Sequence, residues 1–174
     1  MQRTDTKSPL SIRDEQPRDR EHVRTVNESA FGHSDEADLI DRLRLERAVL
    51  LSLVAEVDGQ IVGHILFSRM TVETAHGAVA AVSLAPMAVL PGHQDHGVGT
   101  RLVLDGLAKL RDRGEWVVIV LGHKEYYPRF GFSPEKARYL TSPFPPDAFM
   151  ALELSDGALA AVQGVVRYPT AFGL

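Results

Sequence analysis

Two short stretches concentrate the residue types that can do chemistry. The first is Gln94-Asp95-His96-Gly97-Val98-Gly99-Thr100, between an apolar run ending at Val89-Leu90-Pro91 and a segment with Val103, Gly106, Leu107 and Leu110 at helical spacing. Gly97 and Gly99 let the backbone turn tightly and approach a ligand without Cβ clashes. A helix starting there points its free first-turn N–H groups back into the loop, which makes an anion site whose usual occupant is phosphate. The glycine spacing excludes two common phosphate loops. G-x-x-x-x-G-K-[ST] is absent, and Leu102 stands where G-x-G-x-x-G needs its third glycine. The second stretch is Tyr126-Tyr127-Pro128-Arg129-Phe130-Gly131-Phe132, which brings two phenols and a guanidinium together. His22, His33, His64, His76 and His123 have no metal-ligand spacing, and no metal site is expected. The chain has no cysteine, so disulfides, thiolate nucleophiles and Cys-based metal sites are excluded together.

The elements that must position these stretches are legible from pattern. Ser11-Ile12-Arg13 reads as a short first strand, and Pro17 suits the first position of a helix. Val23, Val26, Asn27, Ala30 and Phe31 mark an amphipathic helical face that Gly32 closes. Ser34 is placed to cap a second helix, with Asp35, Glu36 and Asp38 early, Arg42, Arg44 and Arg47 late, and Leu39, Ile40 and Leu43 inward. Strands follow at Leu51–Val57 and Gln60–Ser68 around the Asp58-Gly59 turn, with Met70–Glu73 extending the second or beginning again beyond a kink. After a turn at Ala75-His76-Gly77, Ala78–Leu90 is a long strand in which Pro86 demands a bulge or a break. Following the glycine loop, the helix ends by Gly114, and Trp116–Leu121 is a β-branched run suited to a central, doubly buried strand. Tyr126–Phe130 is a short helix or turn. The three prolines within 141–147 mark an ordered loop, and Ala148–Leu154 and Gly164–Tyr168 are expected to pair as two late strands. This order gives an α/β fold with one mixed, mostly antiparallel sheet.

Length and composition bound the function. The 174 residues, 44% hydrophobic and 24% charged, suit one soluble globular domain, assigned here to 11–174 after a flexible tail at 1–10. A formal net charge of −4 argues against a general nucleic-acid binder. No apolar run approaches the ~18 residues of a membrane span, and the polar start MQRTDTKSPL has no secretory h-region. A cytoplasmic protein is expected.

Gln94-x-x-Gly97-x-Gly99, preceded by Val89-Leu90-Pro91, resembles the Gln/Arg-x-x-Gly-x-Gly/Ala signature of the GNAT superfamily of acetyl-CoA-dependent N-acetyltransferases. Tyr127, four residues before Gly131-Phe132, matches a second feature of that family. AFGHSDEADLIDRLR and the tail VVRYPTAF are similar to one bacterial branch of it. The resemblance covers roughly Ile12 to Phe172 and implies a GNAT fold, with helices on both faces of the sheet. Its fourth and fifth strands, Ala78–Leu90 and Trp116–Leu121, would splay around the cosubstrate acetyl-CoA. Gln94, Asp95, His96, Gly97, Val98, Gly99 and Thr100 would hold the pyrophosphate. Met87 and Val89 would offer backbone groups to the pantetheine and the acetyl carbonyl while also filling the core, and Arg129 and Phe130 would contact the cofactor. Tyr127 would protonate the leaving thiolate, since a phenol of pKa near ~10 is close to a thiol; the alternative is an aromatic packed beside Phe130.

The remaining roles stay open. His93 reads as a solvated loop residue. His96 would contribute mainly its backbone N–H. Arg101 lies on the outer side of its helix, within possible reach of the adenosine 3′-phosphate. The general base has several candidates, Ser83, Glu73, Glu56, His123 and Glu125, besides a water chain. The helix pair at 18–47 would form part of the acceptor wall, and the acceptor itself is an unidentified amine. Homodimerisation through the late strands is a further expectation. Two alternatives to an enzyme are an acyl-CoA-binding sensor of the same fold, supported by the missing base, and a protein-interaction domain whose glycine loop is only a turn.

Overall fold

A computed structural model describes residues 9–174; the first eight residues of the expected tail lie outside it. Eight strands and three helices run in the order β1 (Ser11–Asp14), α1 (Arg20–Phe31), α2 (Asp35–Leu45), β2 (Val49–Val57), β3 (Gln60–Thr74), β4 (Gly77–Val89), α3 (Val98–Asp112), β5 (Val117–Leu121), β6 (Leu140–Thr141), β7 (Phe149–Glu153) and β8 (Gly164–Arg167). One sheet orders its strands β1-β2-β3-β4-β5-β7, and β8 pairs with both β3 and β6. All pairs on the main path are antiparallel except β4 with β5.

The spine of the sheet is β3, a single 15-residue strand. Its first half pairs with β2 and its last four residues, Thr71–Thr74, pair with β8 along the same edge, so Met70–Glu73 continues the strand without a restart. Opposite Leu66, β4 carries two residues, Ala85 and Pro86, against one. The proline is therefore absorbed in a bulge, and its peptide bond is cis.

Helices cover both faces. Leu53, Phe67, Leu84, Val118 and Leu152 point to one side and pack with Leu102, Leu107 and Leu110 of α3. Val54 and Leu66, one residue out of phase, point to the other and pack with Val23, Ile40 and Leu43 of α1 and α2. Gly106 lets α3 sit directly on Phe67, since a Cβ there would stand 2.5 Å from the ring. Phe67 is fully buried, a side-chain burial that stabilises the fold by roughly 1.5–3 kcal/mol.

Two expectations are corrected. The late strands do not pair with each other: β7 adds to β5, and β8 adds to β3. Apolar alternation marked both as strands, but partner choice is set by which edges remain open, and the long β3 leaves one beyond the end of β2. Ser34 precedes α2 without a side-chain cap to the backbone, because its hydroxyl donates to the Asp38 carboxylate at 3.2 Å.

The C-terminal residues close over α2. Arg42 Nε donates to the Ala171 carbonyl at 3.0 Å, and Thr170 Oγ1 donates to Glu46.

Candidate active site

The β4–β5 pairing stops at Leu84 and Val120, although β4 runs on to Val89. Beyond that point the strands part and open a cleft of about 940 Å³. Leu90 N–H donates to the Val62 carbonyl at 2.8 Å, and Met87 and Val89 stand opposite Ile65 and Gly63. Antiparallel pairs alternate, so the peptide groups of Met87 and Val89 turn away from β3 and into the gap. Gln94 Nε2 donates to the Val89 carbonyl at 3.0 Å, which pins the glycine loop to the strand end. The Val89 N–H and both peptide groups of Met87 remain facing the cleft.

At one end of the cleft lies the start of α3. Gly97 takes φ +82° as its N-cap, a left-handed conformation that favours glycine, and Asp95 also has positive φ at 61°. A Cβ on Gly97 would meet no protein atom within 4 Å, so it would project into open space. Arg101 N–H reaches the Gly97 carbonyl at 3.0 Å, while no protein carbonyl takes the N–H groups of Val98, Gly99 or Thr100 among the described residues. Three convergent donors at the positive end of a 15-residue helix make an anion cradle.

The aromatic stretch lines the adjoining wall. Gly122 follows β5, and a Cβ there would stand 2.3 Å from Tyr127 Cε2; the ring therefore lies against bare backbone. Tyr127 is 7% exposed, packs edge-on to Phe132, and has no hydrogen-bond partner for its hydroxyl among the described residues. Burial pushes its pKa well above the ordinary phenol value, with the neighbouring Tyr126 adding to the shift. The near match to a thiol expected from the sequence does not hold. Tyr126 places its hydroxyl 2.8 Å from where a Gly99 Cβ would stand, and the Arg129 guanidinium lies 4.4 Å over its ring.

Of the residues singled out from the sequence, the cleft gathers Met87, Val89, Gln94, Asp95, Gly97, Val98, Gly99, Thr100, Tyr127 and Arg129. His96 and Phe130 lie outside its lining: the His96 ring turns back to the Gln94 carbonyl, and Phe130 supports Tyr126 at 5.3 Å. Arg101 is exposed beside Asp105. Among the base candidates, Glu56 pairs with Arg13 and Glu73 with Arg167, both away from the cleft. Ser83 is buried on the α1 side of the sheet, Glu125 is outside the lining, and only His123 is part of it. The cleft is also walled by Phe31 of α1 and by Glu36 and Leu39 of α2. None of these three stands out by motif, since their meeting depends on how two helices dock. No group of three or more acidic or histidine side chains could hold a metal ion, and no helix could cross a membrane, among the described residues.

Behind the cleft wall runs a buried polar chain. His64, opposite Ala88 of β4, is fully buried. Asn27 Nδ2 donates to the Val23 carbonyl at 2.9 Å and lies 3.2 Å from His64 Nδ1. Nδ1 must then accept, which puts the proton on Nε2, 2.8 Å from Ser52 Oγ. The Ser52 hydroxyl donates to Glu15, which also accepts from Arg44. Desolvation, with Arg44 adding to it, lowers the His64 pKa to about 3.

Comparisons with known proteins agree with this geometry. Residues 11–134 match the family described as the acetyltransferase (GNAT) domain. The chain is 45% identical over 118 residues to the uncharacterized N-acetyltransferase YjhQ of Escherichia coli K12, a match covering 67% of this chain and 65% of YjhQ. It is 34% identical over 162 residues to the E. coli N-acetyltransferase YhbS, covering 91% of this chain and 96% of YhbS. The crystal structure of E. coli YhbS in complex with CoA superimposes with a TM-score of 0.90 at 32% identity, covering 99% and 97% of the two chains. A GNAT family acetyltransferase from Brucella melitensis in complex with acetyl-CoA gives 0.79 at 36% identity, covering 94% and 98%.

Proposed function

The chain belongs to the GNAT family of acetyl-CoA-dependent N-acetyltransferases, and from that premise we propose that it moves an acetyl group from acetyl-CoA to a primary amine by direct attack in a ternary complex. The observation that carries this reading is the convergence of two donor sets on one cleft. The N–H groups of Val98, Gly99 and Thr100 suit a pyrophosphate, and the cleft-facing peptides of Met87 and Val89 suit an amide-bearing arm and a thioester carbonyl. The cradle fits the ligand: space around Gly97 is open, and the first polar groups met there are donors.

In this reading the amine nitrogen attacks the thioester carbonyl carbon, a C–N bond forms, and the C–S bond breaks. The nitrogen gives its proton to solvent water, and the sulfur leaves as thiolate and takes a proton from solvent. The Val89 N–H donates to the oxygen on which charge develops, where a preorganised donor is worth most. Tyr127 faces the sulfur as a neutral phenol. Because its pKa is raised, it holds its proton and stabilises the thiolate as a hydrogen-bond donor, and solvent completes the proton transfer.

The alternative of a sensor that binds acyl-CoA without turnover draws support from β4 and β5, which carry no carboxylate, and from Glu56 on β2 and Glu73 on β3, which are ion-paired away from the cleft. One experiment separates the two. Calorimetric titration with acetyl-CoA is run on the protein and on Gly97→Val, with ATP as comparator, followed by thiol release in the presence of amines. The acetyltransferase reading expects saturable binding lost in Gly97→Val, amine-dependent thiol release, and slower release with retained binding in Tyr127→Phe. Binding without thiol release favours the sensor. Equal binding by Gly97→Val refutes the loop assignment.

A further inference from the structure

We propose that Glu36 selects the acceptor, and that it selects a primary ammonium carried on an apolar stem; this rests on the acetyl-transfer reading above. Glu36 sits in the first turn of α2 and lines the cleft on a different element from the glycine loop. Among the lining residues the only carboxylates are Glu36 and Asp95, and Asp95 belongs to that loop. The neighbouring acids of α2 are otherwise engaged or outside: Asp38 and Asp41 pair with Arg24, and Asp35 is 87% exposed.

Glu36 differs from them in one respect. Its Oε2 is closed off from solvent and accepts no hydrogen bond. His33 Nδ1 lies 3.2 Å away but is out of line for one. With Oε2 shielded and the side chain still 26% exposed, the carboxylate is reached through its open edge, and a cation with several N–H donors is the group that relieves its charge there. Phe31 and Leu39 stand on the same wall, and Phe31 is 38% exposed. Its ring face attracts a cation, and both side chains offer apolar surface to the stem that carries it. An acidic acceptor would meet Glu36 as a like charge. Before attack the ammonium gives one proton to solvent, and acetylation then turns the amine into a neutral amide, so the product loses the contact that held the substrate.

The test uses the full chain saturated with CoA, titrated calorimetrically with phenethylammonium and with its uncharged isostere 2-phenylethanol. Wild type is expected to prefer the ammonium by roughly tenfold to a hundredfold, as for a hydrogen bond to a charged group. Glu36→Gln is expected to bring that ratio near one, and Phe31→Leu to weaken the ammonium more than the alcohol while leaving a preference. A wild-type ratio near one, no binding of either probe at millimolar concentration, or an unchanged ratio in Glu36→Gln overturns the proposal. A separate acetyl-CoA titration of the same proteins reads the cofactor assignment: no binding in wild type sinks the acetyl-transfer reading, and the ammonium preference is then scored on its own by repeating the amine titration without CoA.

Discussion

Acid should loosen this protein through one residue, His64. In the folded chain the imidazole is neutral, because protonation would bury a charge and set an Nδ1–H against the Asn27 amide donor. Its pKa falls to about 3 from an ordinary value of 6.5. Between those values the unfolded chain binds a proton that the folded chain refuses, so stability falls as pH drops below about 6.5. At pH 7.5 the effect is negligible. At pH 5 the unfolded state gains RT ln(1 + 10^1.5), which is about 2 kcal/mol. Asp19, held low by its hydrogen bonds from Arg13, contributes in the same direction only near and below its ordinary value of 3.8, so the window from pH 7.5 to 5 is nearly free of it. The assay is urea denaturation followed by the single tryptophan, Trp116, which packs against the core at the start of β5. With a urea slope of about 2 kcal/mol/M, the midpoint should fall by about 1 M across the window. His64→Gln retains hydrogen-bonding capacity and cannot titrate. It should be less stable at pH 7.5 and lose about 2 kcal/mol less on acidification. Taking the difference between the two proteins cancels the other six histidines. Parallel stability–pH curves for wild type and variant would refute the reasoning.

Other perturbations probe the cleft and its supports. Gly122→Ala drives a methyl to within 2.3 Å of the Tyr127 ring, so it should cost about 1–3 kcal/mol of stability and cut turnover at least as far as Tyr127→Phe; wild-type kinetics would dissociate ring position from the reaction. Arg42→Met removes the hydrogen bond to Ala171 that ties α2 to the C-terminal residues, and should cost about 1–2 kcal/mol by thermal or urea unfolding. The same variant should raise KM for an amine while leaving acetyl-CoA affinity within twofold, and the reverse pattern would show that α2 does not serve the acceptor end.

What could be read from the residues alone follows from how local the governing physics is. The turn before α3 was legible because Gly97 answers to its own φ, and β5 because five apolar residues need cover on both faces. The 15-residue length of β3 was less so, since Arg69 interrupts an otherwise buried run without breaking the ladder to β4. The partners of β7 and β8 were not, because each is chosen by an edge dozens of residues away. The two-residue β6 has no periodicity at all and exists only because β8 lies alongside it. The same division holds in the cleft. The anion cradle is built from consecutive residues. The Phe31–Glu36–Leu39 wall and the shift on Tyr127 arise from packing between distant segments, and no spacing rule reports burial.

The clasp at the C-terminus has a consequence for how such a protein can change. The segment matching the GNAT domain stops at residue 134, yet Thr170 and Ala171 grip the far end of the helix that carries Glu36 and Leu39. In the acetyl-transfer reading, the loop that takes the cosubstrate and the helix proposed to face the acceptor are therefore anchored by different stretches of chain. Diversifying residues 164–174, none of which lines the cleft, is a route to new acceptors that leaves the glycine loop untouched.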